Sequence, residues 1–447
     1  MGKLFGTDGI RGRANTYPIT ADVALQMGKS LAKIFCSEGK ARAVIGRDTR
    51  FSGEMLETAL ACGMISMGMD VELLGVVPTP AVALLTQQLD AACGVMITAS
   101  HNPAVDNGIK VFGPDGYKLS DEIENQVEAA ILNADIYSTV QGTSAIGSIS
   151  HFEDAAQAYS NFAKRTVDGC LFDGLKVVLD CAHGAAFEIA PKLFSDLGAD
   201  VIVIGDNPDG HNINDNCGAM HPANLSDIVV VNKADVGICF DGDADRVIFL
   251  DSTGTVVNGD RLIGLCALEY KNDGKLSGDS VVVTSMSNLG LHRAMEKAGI
   301  SVEVTGVGDR YVIERMREKG LKIGGEQSGH IIFLDYATTG DGIVTALHVL
   351  KTLAQKKTTL AELADFMTEF PQELVGINVN SKPAIEDVPA LKKEIDACVE
   401  ALGDAGRTVV RYSGTENKIR VLVEAEQQAD VDRWVERLSN VIKQELC

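Results

Sequence analysis

Short apolar, β-branched runs alternate with longer amphipathic stretches along most of the chain. Residues 43–46, 71–77 and 94–98 read as strands, and the apolar spacing over 52–68 predicts a helix between the first two. The alternation resumes with strands predicted at 176–179, 200–204, 236–240 and 247–250. It recurs a third time at 280–284, 301–305 and 322–323. Strands alternating with helical stretches predict parallel sheets covered by helices, hence an α/β fold. The three rounds share no evident sequence repeat.

The last part of the chain has a different rhythm. A strand is predicted at 374–379, a helix at 388–401, two strands at 408–411 and 418–423 joined by a tight polar turn, and a helix at 431–442. A hairpin flanked by helices predicts a smaller α+β domain. Natural breaks fall in the Gly/Ser-rich stretch 141–150, the turn near 251–259, and Phe370-Pro371.

Composition narrows the class of function. The chain has 447 residues, enough for several cores without disulfide or metal staples. Lys and Arg number 40 against 62 Asp and Glu, a net charge of −22. That argues against a nucleic-acid backbone or an anionic membrane surface as partner. A site for a small anion must therefore gather its positive charge locally. No apolar run approaches the roughly 18 residues of a membrane span. Residues 1–13 lack the apolar core of a signal peptide, and a myristoylation match at Gly2 fails because position six is Gly6. The ten cysteines are dispersed with no Cys-x-x-Cys, which reads as reduced thiols in a cytoplasmic protein.

The polar, Gly-rich clusters fall just after predicted strands, where open α/β sheets bind ligands. Thr98-Ala99-Ser100-His101-Asn102-Pro103 offers a serine hydroxyl in a turn, either a nucleophile or phosphate carrier or a plain turn. No Gly-x-Ser-x-Gly elbow supports a hydrolase triad. Asp241, Asp243 and Asp245 alternate in one short loop and suit a hard cation, Mg²⁺ or Ca²⁺. An EF-hand fails, because its sixth position is Arg246 and its twelfth Ser252. Arg246 beside the carboxylates adds a phosphate-handling group. Arg411-Tyr412-Ser413-Gly414-Thr415 combines an Arg fork, two hydroxyls and free backbone N–H groups, either a phosphate cradle or an ordinary hairpin turn. Gly325-Glu326-Gln327-Ser328-Gly329-His330 interleaves hydrogen-bonding side chains with glycines, as a polyol site needs. Arg11 and Lys110 each place a cation beside glycines, and Asp309-Arg310 offers either a cation or a helix cap.

Together these clusters resemble the α-D-phosphohexomutase family across essentially the whole chain. Thr98 to Pro103 resembles its phosphoserine loop, Asp241 to Arg246 its Mg²⁺ loop, Gly325 to His330 its sugar loop and Arg411 to Thr415 its phosphate loop. Gly6 to Gly12, Gly306 to Tyr311 and Gln327 resemble the bacterial branch that acts on glucosamine phosphates. The resemblance implies three similar α/β domains with mixed, mostly parallel sheets (1–150, 151–255 and 256–369) and a smaller α+β lid (370–447) around a central cleft. It implies that Ser100 is a phosphoserine and that Asp241, Asp243 and Asp245, with the Ser100 phosphate, hold one Mg²⁺ per subunit. Glucosamine 6-phosphate and 1-phosphate would interconvert through a 1,6-bisphosphate, with Lys110 or His330 moving the proton. Glu326 and Ser328 would bind sugar hydroxyls. Arg411, Ser413, Gly414 and Thr415 would hold the distal phosphate, Arg246 and Lys110 would offset charge, and Arg11 and Arg310 would contact phosphate. A homodimer fits the same likeness. The alternatives left open are a phosphomannomutase or phosphoglucomutase, a haloacid-dehalogenase-type phosphatase with Asp241 as nucleophile, and a non-catalytic sugar-phosphate sensor. The phosphohexomutase reading requires the fold to gather most of Arg11, Lys110, Arg246, Arg310 and Arg411, with Mg²⁺, around Ser100.

Overall fold

A computed structural model describes residues 4–6, 8–36, 41–132, 146–413 and 417–447. It divides into two compact units, residues 1–284 with 301–365, and residues 285–300 with 366–447.

The first unit carries three mixed sheets. In the first, Arg42–Arg47 lies between Asp70–Val76 and Cys93–Ile97, parallel to both, and Ile149–His151 extends the parallel edge. The chain then turns back: Asp106–Phe112 pairs antiparallel with Cys93–Ile97, and Ile10–Arg13 closes that edge. In the second sheet Lys176–Asp180 lies parallel to Asp200–Ile204 and Val236–Phe240, and Val247–Asp251 returns antiparallel along the latter. In the third, Ser280–Thr284 is parallel to Ser301–Thr305 and Ile323–Gly325, and Ile331–Phe333 returns antiparallel. The central strands are uninterrupted apolar runs because helices cover both faces. Val236–Phe240 is buried at every position.

Each sheet thus repeats one device: a buried parallel strand, a polar turn, and an antiparallel return. The antiparallel returns at 106–112 and 331–333, and the strands 10–13 and 149–151, are elements the alternation did not predict. All four are short or carry polar residues, so their hydrophobic signal is weak.

The second unit is a three-stranded antiparallel sheet, ordered Gln372–Asn378, Lys418–Ala425, Gly406–Tyr412. Helices Pro389–Leu402 and Gln428–Leu446 cover it over a core that includes Leu391, Val421, Trp434 and Leu438. Helix Leu289–Lys297, which the alternation assigns to the third α/β round, belongs to this unit. The cause is polar. The buried Glu424 carboxylate accepts the Leu289 N–H at 2.6 Å, and Asn288 makes two hydrogen bonds with the Phe370 backbone, at 3.0 and 2.9 Å.

Candidate active site

Ser100 lies three residues beyond the strand Cys93–Ile97, in the left-handed region at φ 52°. It is 1% exposed, and its hydroxyl donates to Asp241 Oδ2 at 2.7 Å. The turn after Val236–Phe240 therefore meets the turn after Cys93–Ile97 across two sheets. Their backbones are close: a Cβ on Gly242 would sit 2.6 Å from the Ser100 carbonyl oxygen, so only glycine fits there.

The acidic loop is pinned from three sides. The N–H groups of Thr79, Ala185 and Gly342 donate to the carbonyls of Asp243, Gly242 and Ala244 at 3.0, 2.8 and 3.0 Å. Asp241, Asp243 and Asp245 are buried, and one oxygen from each lies within 4.8 Å of the others. Asp243 Oδ1 and Asp245 Oδ1 have no hydrogen-bond partner. Three converging buried carboxylates with orphaned oxygens fit a hard divalent cation such as Mg²⁺. Burial, reinforced by Asp243 and Asp245, holds the Asp241 carboxyl well above the usual carboxylate range. Burial would do the same to Asp245, but Lys110, His330 and Arg246 outweigh it and hold that carboxyl well below.

Lys110, on the antiparallel return strand, is 1% exposed and bonds Asp243 Oδ2 at 2.9 Å and Asp245 Oδ2 at 3.0 Å. Burial opposes its charge, but Asp243, Asp245 and Asp8 raise its pKa well above the ordinary value, so it is an ammonium. His330 is buried, with Nδ1 3.5 Å from Asp245 and Nε2 accepting the Gly340 N–H at 3.0 Å. Burial lowers its basicity, while Asp245, Asp309 and Glu326 raise it further, for a net upward shift. Arg246 pairs with Asp245 at 3.8 Å, and its backbone N–H binds Asp241 at 3.1 Å. Arg11 pairs with Asp8. The buried Nε atoms of Arg11 and Arg246 have no hydrogen-bond acceptor, as expected of forks that face an anion. Adjacent His101 is neutral at physiological pH: burial, then Arg246 and Arg11, push it down to about 4.

The remaining expected residues are distributed less simply. Glu326 is half-buried and accepts the Gly308 N–H at 3.2 Å, and Ser328 is exposed. Arg310 is not among the cations that touch the acidic loop. Its guanidinium is committed to Asp121, to Glu124 at 2.7 Å and to the Leu119 carbonyl at 3.0 Å. Asp309 is not the cap: Gly308 is the helix N-cap, and Asp309 binds Lys118 and lies 3.5 Å from His330. In the second unit, Arg411 stands opposite Arg420 on the neighbouring strand, and burial with that like charge lowers its pKa. Ser413 donates its N–H to the Lys418 carbonyl, and its own carbonyl accepts from Lys382 Nζ, both at 2.8 Å. Gly414 and Thr415 lie outside the described residues.

Residues that the motifs did not single out complete the site. Thr79 Oγ1 donates to Asp243 Oδ2 at 2.6 Å, and Lys118 bridges Asp8 and Asp309. Asp48 and Arg50 stand behind the serine loop. Their signal was present: Asp48-Thr49-Arg50 is another polar cluster directly after a strand, Arg42–Arg47.

Four family models match in series. They are the phosphoglucomutase/phosphomannomutase α/β/α domains I, II and III, over residues 2–138, 152–254 and 258–370, and the C-terminal domain over 374–441. The chain belongs to the phosphoglucomutase/phosphomannomutase family. It is 48% identical to a phosphoglucosamine mutase of Syntrophus aciditrophicus over 448 residues, covering 100% of both chains. A phosphoglucosamine mutase of Ruegeria sp. is 49% identical over 98% of each. Among solved structures, a family protein from Burkholderia thailandensis superposes with a TM-score of 0.82 at 25% identity, over 98% of this chain and 97% of the other. The N-acetylphosphoglucosamine mutase of Aspergillus fumigatus, solved with GlcNAc-6P and magnesium, shares the fold: TM-score 0.69, 20% identity, 99% and 96% covered. Membership sets aside the haloacid-dehalogenase alternative, and the family's activity makes the chain an intramolecular phosphotransferase. Among the described residues, no helix is long and apolar enough to cross a membrane.

Proposed function

We propose that this chain is a phosphoglucosamine mutase, interconverting glucosamine 6-phosphate and glucosamine 1-phosphate with Ser100 as phosphoryl carrier. It would act in the cytoplasm, supplying amino-sugar nucleotide and cell-wall precursor synthesis. The substrate rests on full-length relatives of that name. The chemistry rests on one observation above all, the Ser100 hydroxyl 2.7 Å from a buried three-carboxylate loop.

Asp241, Asp243 and Asp245 would hold Mg²⁺ together with the Ser100 phosphate. The ion, when bound, neutralises charge on the transferring phosphoryl group. In the first half-reaction the Ser100 Oγ–P bond breaks and a P–O bond forms to the free sugar hydroxyl. That hydroxyl's proton leaves to a nearby base, and glucosamine 1,6-bisphosphate results. In the second, Ser100 takes the other phosphoryl group and the sugar oxygen regains a proton. Lys110 is the proposed partner for that proton, in the neutral form it would adopt once a divalent cation took the Asp243 and Asp245 oxygens that hold it as an ammonium, with His330 the competitor. Glu326 and Ser328 bind sugar hydroxyls, and Arg11 and Arg246 offset phosphate charge. Arg411, Ser413, Gly414 and Thr415 take the non-reacting phosphate. Arg310 is a weaker member of this set, because its guanidinium already serves Glu124 and Asp121.

An assay with Mg²⁺ on glucosamine, glucose and mannose 6-phosphates tests the substrate. The highest kcat/KM is expected for glucosamine 6-phosphate, and a clear preference for mannose 6-phosphate overturns the assignment.

A further inference from the structure

Arg50 is among the largest fully buried side chains, with 1% exposure, yet it touches none of the three carboxylates. Its two Nη groups go to the serine loop and the start of the strand that follows it, and its Nε to Asp48. Nη2 donates to the Ser100 carbonyl at 3.0 Å and the Asn102 carbonyl at 2.8 Å. Nη1 donates to the Pro103 carbonyl and to the Asp106 carbonyl at 2.9 Å. Nε pairs with Asp48 Oδ2 at 2.9 Å, and that oxygen also accepts the Thr98 hydroxyl at 2.6 Å. Thr98 Oγ1 in turn accepts the Ser100 N–H at 2.8 Å. From the second sheet's side, Asn214 Nδ2 donates to the same Ser100 and Asn102 carbonyls at 2.9 and 3.0 Å.

The physical need is clear. Ser100 sits at positive φ, a backbone conformation that a non-glycine residue keeps only when its surroundings over-determine it. The carbonyls of a tight turn point one way, and unpaired buried carbonyls are costly. One planar guanidinium has five donors in a fixed fork and can close all of them at once. Asp48 balances its charge, so the clamp adds no net positive charge beside the phosphoryl group.

We propose that Arg50 is a positioning residue for phosphoryl transfer: with Asp48 and Thr98 it holds Ser100 Oγ at the angle from which its phosphoryl group lines up with the sugar oxygen. The inference rests on Ser100 as the phosphoryl carrier. It goes beyond that role by assigning the reaction's alignment to a residue that touches neither substrate nor metal ligands. Lysine at position 50 keeps the charge but offers three donors at one point, too few to close the fork.

The test uses full-length Arg50→Lys and Thr98→Val, each confirmed as folded by its thermal transition, with Ser100→Ala alongside. Steady-state kinetics and the ³¹P NMR shift of the phosphoserine are measured. Misalignment is expected to lower kcat about 100-fold with KM changed less than about twofold. The phosphoserine resonance is expected to move, which a purely stabilising role would not cause. If Arg50→Lys fails to fold, Thr98→Val decides. Turnover within about threefold of wild type, with an unmoved resonance, overturns the proposal. Undiminished turnover by Ser100→Ala overturns the carrier role instead, so the two failures are distinguishable.

Discussion

Lys110 shows how one residue reconciles an acidic loop with burial. Three carboxylates packed away from water repel one another, and its ammonium lies between two of them at hydrogen-bond distance. A divalent cation at the loop competes for those oxygens. Lys110→Met is therefore expected to cost about 3 kcal/mol in EDTA, where the carboxylates lose the buried ammonium between them. The same variant is expected to gain more stability than wild type from millimolar Mg²⁺. Urea unfolding with and without metal checks both, and equal stability of the two proteins in EDTA contradicts the role. The residue scale is also where the sequence was most legible. Ser100 and the three aspartates stand out because polar residues after an apolar strand are conspicuous. Thr79 and Asn214 do not, because their partners lie 164 and 114 residues away along the chain.

At the scale of elements, the repeated strand, turn and antiparallel return explains why the chemistry sits in turns. A parallel strand buried on both faces delivers the turn rigidly, and the return strand supplies a second residue, as Lys110, across from Met96, does for the acidic loop. The alternation of apolar runs revealed the central parallel strands and the return at 247–250, but not the returns at 106–112 and 331–333. Lys110 is buried in a strand whose sequence, Asp-Asn-Gly-Ile-Lys-Val-Phe, reads as half polar. The placement of helix Leu289–Lys297 was hidden for a related reason, since the buried Glu424 carboxylate and the Asn288 side chain hold it through bonds to residues far along the chain. Glu424→Gln weakens the charge-assisted bond to Leu289 N–H and the Arg407 pair at 2.7 Å, and should cost the second unit about 2 kcal/mol. Amide exchange in helix Leu289–Lys297 should accelerate, and unchanged protection contradicts the link.

Helix Gly342–Lys356 carries a pH signature. Asp341 caps it through Val344 N–H at 2.9 Å and accepts the Tyr159 hydroxyl at 2.8 Å. Burial pushes its carboxyl up to about 6 despite those bonds. Below about pH 4 it is protonated folded or unfolded and adds no penalty. Above about 6 it is ionised in both states, and the folded state bears the full cost, on the order of 3 kcal/mol. Its contribution to stability therefore falls as pH rises between those values. Asp341→Asn keeps the acceptor and removes the ionisation. Its stability relative to wild type should increase between pH 5 and 7.5, and a pH-independent difference contradicts the burial argument.

Across the whole molecule, a net charge of −22 coexists with a site built for anions because its cations are gathered locally. Lys110, Arg246 and Arg11 come from separate segments, and the first unit assembles them with the acidic loop. Arg411 and Arg420 form a second positive pair on the C-terminal sheet, and Lys382 binds the Ser413 carbonyl beside it. Composition could set the requirement, but only topology shows which cations meet it, as the diversion of Arg310 to Glu124 illustrates.

The most direct measurement follows the phosphoryl group itself. Enzyme carrying ³²P on Ser100, mapped by peptide analysis, is mixed with unlabelled glucosamine 6-phosphate and Mg²⁺ in a single turnover. Label is expected to leave Ser100 and to appear first in glucosamine 1,6-bisphosphate and then in monophosphate, and Ser100→Ala should neither take up label nor turn over. Label that stays on the protein while glucosamine 1-phosphate forms, or that leaves only as inorganic phosphate, contradicts Ser100 as the carrier.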